Sequence, residues 1–478
     1  MKNLRIIPRL DIKGPNVVKG INLEGLRVVG SPSVLAKKYY DQGADELLYV
    51  DIVASLYERN NLLDIVEKTA TSGVFIPITV GGGLRSIEDI KKILRAGADK
   101  IAINTAATRN SKIISEAARI FGTQCIVGSI EAKYKDGRWE AYIDNGRECT
   151  GVDAIEWAKE LVKLGAGELL ITSVDNEGLE KGYDTELISK ITAQVSVPVI
   201  ACGGAGSEDD VLDCFNKTQC SAVSMASILH YNKATIQRIK NKMAPYADVR
   251  KVQGISIPEN HKRKKVSIID YGAGNLRSVI TAFETLNCEA KVISTPEEVL
   301  VAELLVLPGD GAFGYGMEQL HKKNFVNSIR EYISQDKPFI GICLGMQLML
   351  SESFEFGNHK GLDIIKGKIV QLKREEEVNI EGYTIPHMRW NALEITGGDW
   401  DKTILKGIPD KSEVYFIHSF CVYTDDKPMS IANTHYGGQE FCAVLKKGNA
   451  YGTQFHPEKS GVVGLRMLYN LLNEELQK

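Results

Sequence analysis

The sequence has no CxxC pair: its nine cysteines are scattered and odd in number. That argues against a disulfide framework and against a zinc site. It has no apolar run long enough to span a membrane, and its start, MKNLRIIPRLDIKG, has no apolar stretch of signal-peptide length. A reducing cytosol is the expected compartment. An excess of one charge is also missing. The formal net charge of −3 gives no basic footprint for nucleic acid. The expectation is a cytoplasmic protein with no metal, no cofactor, no nucleic-acid partner and no membrane partner. With 478 residues, 44% hydrophobic and 25% charged, the chain is globular in composition and too long for one ordinary core.

The N-terminal half alternates short apolar runs with amphipathic stretches. The runs are LRIIPRLDI, ELLYVDI, FIPITVGGG, KIAINTA, QCIVGSIEA, ELLITSV, VPVIACGG and AVSMAS. Apolar strands alternating with helices argue a parallel sheet, and eight of them argue a closed (β/α)₈ TIM barrel. The half-barrels repeat. GADELLYVD starts at Gly43 and GAGELLITS at Gly165, 122 residues apart. Pro77 and Pro198 are 121 apart, and Asp11 and Glu131 are 120 apart. The polar stretch IPENHKRKK (257–265) then interrupts the pattern. After it, VSIIDYGAGNLRSV, LLVLPGDGAFG and PFIGICLGMQ read as strand-then-turn units of an open α/β sheet. The expected class is α/β, with a barrel over 1–248, a linker over 249–264 and a second α/β domain over 265–478.

Two constellations carry chemistry. GICLGMQ puts Cys343 at a tight strand-to-helix turn, which presents a nucleophile at a helix N-terminus. YGTQFHPEKS supplies His456 as a general base and Glu458, two residues on, to orient it. If that segment is extended, both side chains share a face.

In a barrel of this kind, function gathers at the C-terminal ends of the strands. Those ends carry Asp11, Asp51, Gly81–Gly82–Gly83, Asn104–Thr105, Glu131, Thr172, Gly203–Gly204 and Ala226–Ser227. Asp11 and Glu131 sit at matching points of the two halves and suit acid and base roles. The paired glycine loops suit a substrate with a phosphate at each end. At the other end, strand parity turns Arg5, Lys100 and Glu168 inward with Glu46 beside them, a ring of opposite charges across the barrel bottom.

The second domain resembles the class I glutamine amidotransferases, whose G-x-C-x-G and H-P-E motifs it carries. Both domains together resemble the imidazole glycerol phosphate synthase family. The carrying motifs are R-I-I-P-x-L-D-I-K, V-V-K-G, D-E-L, V-G-G-G, A-D-K-x-x-I-N-T-A-A, T-S-V-D, G-Y-D-T-E, A-C-G-G-A-G and, at 386–391, P-H-M-x-W-N.

The resemblance implies Cys343, His456 and Glu458 as a glutaminase triad, backbone around Gly309–Gly311 as oxyanion hole, and Gln347 in the glutamine pocket. In the barrel it implies Asp11 and Glu131 as acid/base pair. Substrate contacts are implied from Lys19, Gly83, Asn104, Thr105, Thr172, Gly178, Gly203, Gly204, Ala226 and Ser227. Arg5, Glu46, Lys100 and Glu168 match an ammonia gate. The implied reaction takes ammonia from L-glutamine through the barrel to a bis-phosphorylated ribonucleotide.

Five positions depart from the family pattern: Glu131, Glu177, Cys202, Asp310 and Arg389. They keep a second acceptor open, such as a nucleotide-linked sugar in surface polysaccharide synthesis. A third alternative, a non-enzymatic scaffold, is at odds with an intact triad.

Overall fold

A computed structural model describes residues 2–53, 62–258, 263–272, 274–373, 378, 380, 382–396, 400–424 and 429–473. Within the expected linker, 259–262 lie outside the described residues. The chain divides into two compact units. The first comprises Met1–Ala118, Thr123–Lys251 and Ile380–Pro386, and the second Arg119–Gly122, Val252–Asn379 and His387–Lys478. Each unit thus includes a short segment that contiguous boundaries at 248 and 265 would assign to the other.

In the first unit the strands are β1 (Arg5–Lys13), β2 (Asn16–Ile21), β3 (Glu24–Gly30), β4 (Leu47–Asp51), β5 (Ile78–Gly81) and β6 (Lys100–Ile103). They continue with β7 (Ile126–Lys135), β8 (Arg138–Ile143), β9 (Glu148–Asp153), β10 (Glu168–Ser173), β11 (Val199–Cys202) and β12 (Ala222–Met225). Parallel pairing runs β1-β4-β5-β6-β7-β10-β11-β12 and closes from β12 onto β1. This is an eight-stranded barrel. The first eight residues of β1 are buried at both parities, as expected of a strand covered on both faces. The remaining four strands form two antiparallel ribbons, β2–β3 on β1 and β8–β9 on β7. They occupy equivalent places in the two halves.

The repeat is physical as well as textual. Gly82 and Gly203 both hold positive φ, +94° and +97°, and a Cβ at either would strike the carbonyl oxygen of Asp51 or Ser173 at 2.2 Å or 2.6 Å. Only glycine fits where these loops cross the preceding strand end. Helices Ile87–Arg95 and Glu208–Lys217 each start with a capping box, Ser86–Asp89 and Ser207–Asp210.

The barrel interior is layered. At the strand starts sit Arg5, Glu46, Lys100 and Glu168. One turn of the pleat higher lies an apolar layer that includes Ile7, Leu48, Ala102, Val127, Leu170, Ile200 and Ala222. Arg9 and Asp11 follow on β1 at the same parity.

The second unit contains β13 (Lys265–Ile269), β14 (Glu289–Ile293), β15 (Leu304–Leu307), β16 (Phe339–Ile342), β17 (Glu352–Ser353), β18 (His359–Lys360) and β19 (Gly367–Gln371). Then come β20 (His387–Ala392), β21 (Glu394–Ile395), β22 (Glu413–His418), β23 (Phe420–Thr424), β24 (Ser430–Tyr436), β25 (Gln439–Lys447) and β26 (Ala450–Thr453). Its centre is the parallel series β14-β13-β15-β16-β26, with β25 antiparallel on β26. A buried core of Phe, Tyr, Leu and Ile side chains, among them Phe313, Phe325, Tyr332 and Phe339, packs within this unit.

Candidate active sites

Cys343 follows β16 and caps the helix Leu344–Leu348, with φ 48° and ψ −104°. A non-glycine residue in that region is strained, and nucleophiles at strand-to-helix elbows store such strain. The flanking glycines are required sterically. A Cβ at Gly341 would meet the Gly345 carbonyl oxygen at 2.6 Å, and one at Gly345 would meet that of Leu307 at 2.0 Å. The Cys343 N–H donates to the Thr453 carbonyl (2.7 Å), which ties the elbow to β26.

His456 follows β26 and pairs through Nδ1 with Glu458 Oε1 at 2.7 Å. The segment is not extended. Pro457–Lys459 is a 3₁₀ turn with His456 at its N-cap, and the turn brings the carboxylate back to the ring. Ser460 secures it by donating to the His456 carbonyl (2.6 Å) and accepting from the Tyr415 N–H (3.0 Å).

The other ring nitrogen, Nε2, lies 3.4 Å from Asp310 Oδ1. Asp310, one of the five departing positions, therefore points at the His456 ring. Its second oxygen accepts from the Asn275 N–H at 2.7 Å. Burial works against charge on His456. Glu458, the Cys343 sulfur and Asp310 nonetheless hold the imidazolium well above its ordinary pKa.

Gln347 donates to the Phe420 carbonyl (3.0 Å) and to Gln454 (3.2 Å), and Gln454 Nε2 lies 3.7 Å from Cys343 Sγ. Sequence reasoning missed Gln454, for no motif distinguishes it. Gly309 packs against the elbow, since a Cβ there would sit 2.4 Å from the Gly345 nitrogen.

In the barrel, β1 and β7 are four strands apart in a ring of eight, so Asp11 and Glu131 approach from opposite sides. Asp11 is 2% exposed. Its Oδ1 accepts from Arg9 Nε at 2.7 Å, and its Oδ2 lies 3.4 Å from Lys19 Nζ. Burial would raise the Asp11 carboxyl, but Arg9 and Lys19 hold it below the usual range. Lys19, on β2, also pairs with Glu177. This lysine, which the resemblance implies as a substrate contact, is buried in ion pairs. Gly178, with φ +77°, packs against the Gly20 carbonyl.

Glu131 accepts one bond, from the Gly146 N–H at 2.8 Å. Burial pushes its carboxyl up to about 7, with Arg9 partly opposing. Gly146 lies in the β8–β9 turn, an element that the sequence reading did not contain.

A cavity of about 270 Å³ opens at the strand ends of the first half. It gathers Asp51, Gly83, Asn104, Thr105 and Glu131, with Arg109 and Asn145 beside them. Asn104 donates to the Tyr142 carbonyl (3.1 Å) and Thr105 accepts from the Asp144 N–H (3.2 Å), so β8–β9 braces this wall. Gly203, Gly204, Ala226 and Ser227 are not among its lining residues. They stand on the second-half strand ends, where Thr172 and Cys202 both contact Arg9.

At the strand starts the four charges meet. Arg5 bonds Glu46 and Glu168 (2.6 Å each), and Lys100 bonds Glu46 (2.7 Å) and Glu168 (2.5 Å). All are 0–1% exposed. Burial alone would raise the Glu46 carboxyl, but Arg5 and Lys100 bring it below the carboxylate range.

Arg389, on β20, sets its guanidinium over the Tyr436 ring, 5.9 Å from the centroid. Among the described residues, no helix is long and apolar enough to cross a membrane.

Residues 5–235 match a family described as Histidine biosynthesis protein, and residues 267–474 match Glutamine amidotransferase class-I. The chain is 60% identical over 211 residues to the imidazole glycerol phosphate synthase subunit HisF of Legionella pneumophila, covering 44% of this chain and 99% of that protein. It is 51% identical over 240 residues to the same subunit of Bacillus cereus strain G9842, covering 50% of this chain and 95% of that protein. For Bacillus cereus strain Q1 the identity is 52% over 240 residues, with the same coverage.

Proposed function

The chain belongs to the family of the imidazole glycerol phosphate synthase subunit HisF, and from that premise and its glutamine amidotransferase domain we infer a glutamine-dependent imidazole glycerol phosphate synthase of histidine biosynthesis. It is an enzyme with glutaminase and lyase activities. The observation that carries the reading is the coexistence of a complete Cys343–His456–Glu458 set with two opposed, differently charged carboxyls at the barrel strand ends.

In the glutaminase, Cys343 attacks the glutamine carboxamide. His456, oriented by Glu458, passes the proton to the leaving ammonia, and water then hydrolyses the Cys343 thioester to release glutamate. Backbone N–H groups around Gly309–Gly311 take the developing oxyanion, and Gln347 lines the glutamine pocket. Ammonia then crosses the barrel interior past the Arg5–Glu46–Lys100–Glu168 ring. At the strand ends it adds to phosphoribulosyl-formimino aminoimidazole carboxamide ribonucleotide. The products are imidazole glycerol phosphate and aminoimidazole carboxamide ribonucleotide.

Asp11 stays ionised and acts as base, while Glu131 retains a proton to near neutrality and acts as acid. Gly83, Asn104 and Thr105 take one substrate phosphate. Gly203, Gly204, Ala226 and Ser227 take the other, with Lys19, Thr172 and Gly178 between them. The cytoplasm is the compartment that such chemistry fits.

Turnover of the bis-phosphorylated ribonucleotide by purified protein, followed by its loss of absorbance, tests the reading. Cys343→Ala should abolish turnover with glutamine and keep it with ammonium salt. Intact glutaminase with no turnover from either nitrogen source would refute it and point to another ammonia acceptor.

A further inference from the structure

Position 9 is the unspecified place in R-I-I-P-x-L-D-I-K, and here it is a buried arginine. Arg9 is 2% exposed, although the strands around it are apolar. A charge inside a barrel costs solvation and persists only where partners and geometry reward it. Its partners span three strands. Nε reaches Asp11 on β1 (2.7 Å), and Nη1 reaches both Thr172 on β10 (3.2 Å) and the Cys202 sulfur on β11 (3.4 Å). Two of these three are residues of the barrel site, and the third is one of the positions that depart from the family pattern. A planar fork of this kind fixes direction in a way that an ammonium does not.

We propose that Arg9 is a positioning residue for the barrel chemistry, its guanidinium clamping the Asp11 carboxylate in one orientation and bracing it against β10 and β11. The proposal rests on the synthase reading for its catalytic meaning. Cys202 belongs to the same clamp, where its sulfur accepts an N–H from the guanidinium. Glu131, opposite, feels the same cation, which offsets part of the effect of its burial.

The groups facing Asp11 are Arg9 from its own strand, Lys19 from β2, Glu131 from β7, Glu177 from the loop after β10, Cys202 from β11 and His230 from the helix Ser227–His230. Without Arg9, Lys19 remains the nearest cation, 3.4 Å away and shared with Glu177. Asp11 then titrates at higher pH. The acid limb of ammonium-dependent turnover moves up with it, by about one unit.

Arg9→Gln and Arg9→Lys, made in the full chain, separate charge from geometry. Arg9→Gln should shift the acid limb up by about one unit and lower kcat with little change in KM. Arg9→Lys should leave the limb near its wild-type place but lower kcat by about tenfold, because the fork is lost. A purely structural role would reduce the folded fraction and leave the pH profile of what remains untouched.

Carbon-detected NMR titration of the Asp11 carboxyl, assigned with Asp11→Asn, reads the same shift without substrate. The clamp can therefore be judged even if the wild type does not turn over the ribonucleotide, an outcome that would count against the synthase reading alone. An Asp11 titration in Arg9→Gln that matches wild type would overturn the proposal.

Discussion

Replacing Glu131 by Gln tests the barrel's electrostatics with no substrate present. Glu131 is buried, accepts a single backbone bond and titrates at about 7, against 4.5 for an ordinary glutamate. Because the folded value lies above the unfolded one, the folded state holds a proton that the unfolded state has lost between these two pH values. The contribution of Glu131 to stability is therefore full below pH 4.5 and falls as pH rises toward 7. At about 1.4 kcal/mol per unit, the whole effect is about 3.5 kcal/mol.

Glutamine does not titrate, and groups that do not interact with Glu131 cancel in the difference between wild type and variant. The stability of Glu131→Gln relative to wild type should rise by about 2.5 kcal/mol between pH 5 and pH 8, then level off. Urea unfolding of both proteins at half-unit pH steps reads this, with the two units fitted as separate transitions. A difference that stays flat from pH 5 to pH 8 would show that Glu131 ionises like a surface carboxylate. That would remove the basis for naming it the acid.

Three further outcomes are expected. Asp310→Asn removes a carboxylate 3.4 Å from His456 Nε2, which lowers the imidazolium pKa; the acid limb of glutaminase activity should move to lower pH by about one unit, and an upward or absent shift would show that Asp310 does not govern the base. Lys100→Met leaves Glu46 and Glu168 sharing only Arg5 within the ring and should cost about 3–5 kcal/mol in urea unfolding; a loss under about 1 kcal/mol would mean that the ring tolerates a missing cation. Gly178→Ala sets a Cβ 2.6 Å from the Gly20 carbonyl at φ +77°, at a cost of about 1–3 kcal/mol; a melting temperature equal to wild type would show that the loop carrying Glu177 yields freely.

Much of the architecture was readable from periodicity, because a barrel strand is buried on both faces and leaves an uninterrupted apolar run. The ring at the strand starts was readable from parity alone: Arg5, Lys100 and Glu168 share faces with Asp11, Asn104 and Thr172. The antiparallel ribbons were missed for different reasons. KYKDGRWE contains Asp136–Gly137, a two-residue hairpin signal, and both residues hold positive φ of 50° and 85°. That signal was present and passed over in favour of the βα alternation. The β2–β3 turn uses Asn22 and Leu23 at φ 47° and 64°. Asn22 suits such a turn, but the leucine beside it carries no turn signature, so the local signal was weaker than Asp-Gly.

The residues that tune the sites were the least legible, and the reason is common to them. Arg9 shares its parity with Arg5 and Asp11, so its inward direction was implied. What could not be read was that its fork lands on Asp11, Thr172 and Cys202 at once, since that depends on how β1, β10 and β11 sit around the closed ring. Asp310 lies three residues past the end of β15, between two glycines, and reads as a turn acid. Its meaning comes from a 3₁₀ turn almost 150 residues downstream, which aims His456 Nε2 at it. Glu131 was legible as a departure from the family pattern. The β8–β9 turn supplies the Gly146 N–H that anchors it, and burial changes its charge. The motifs thus name the candidate reacting groups. The charge state of those atoms is set by neighbours that are distant in sequence, and it is there that this chain departs from the pattern of its family.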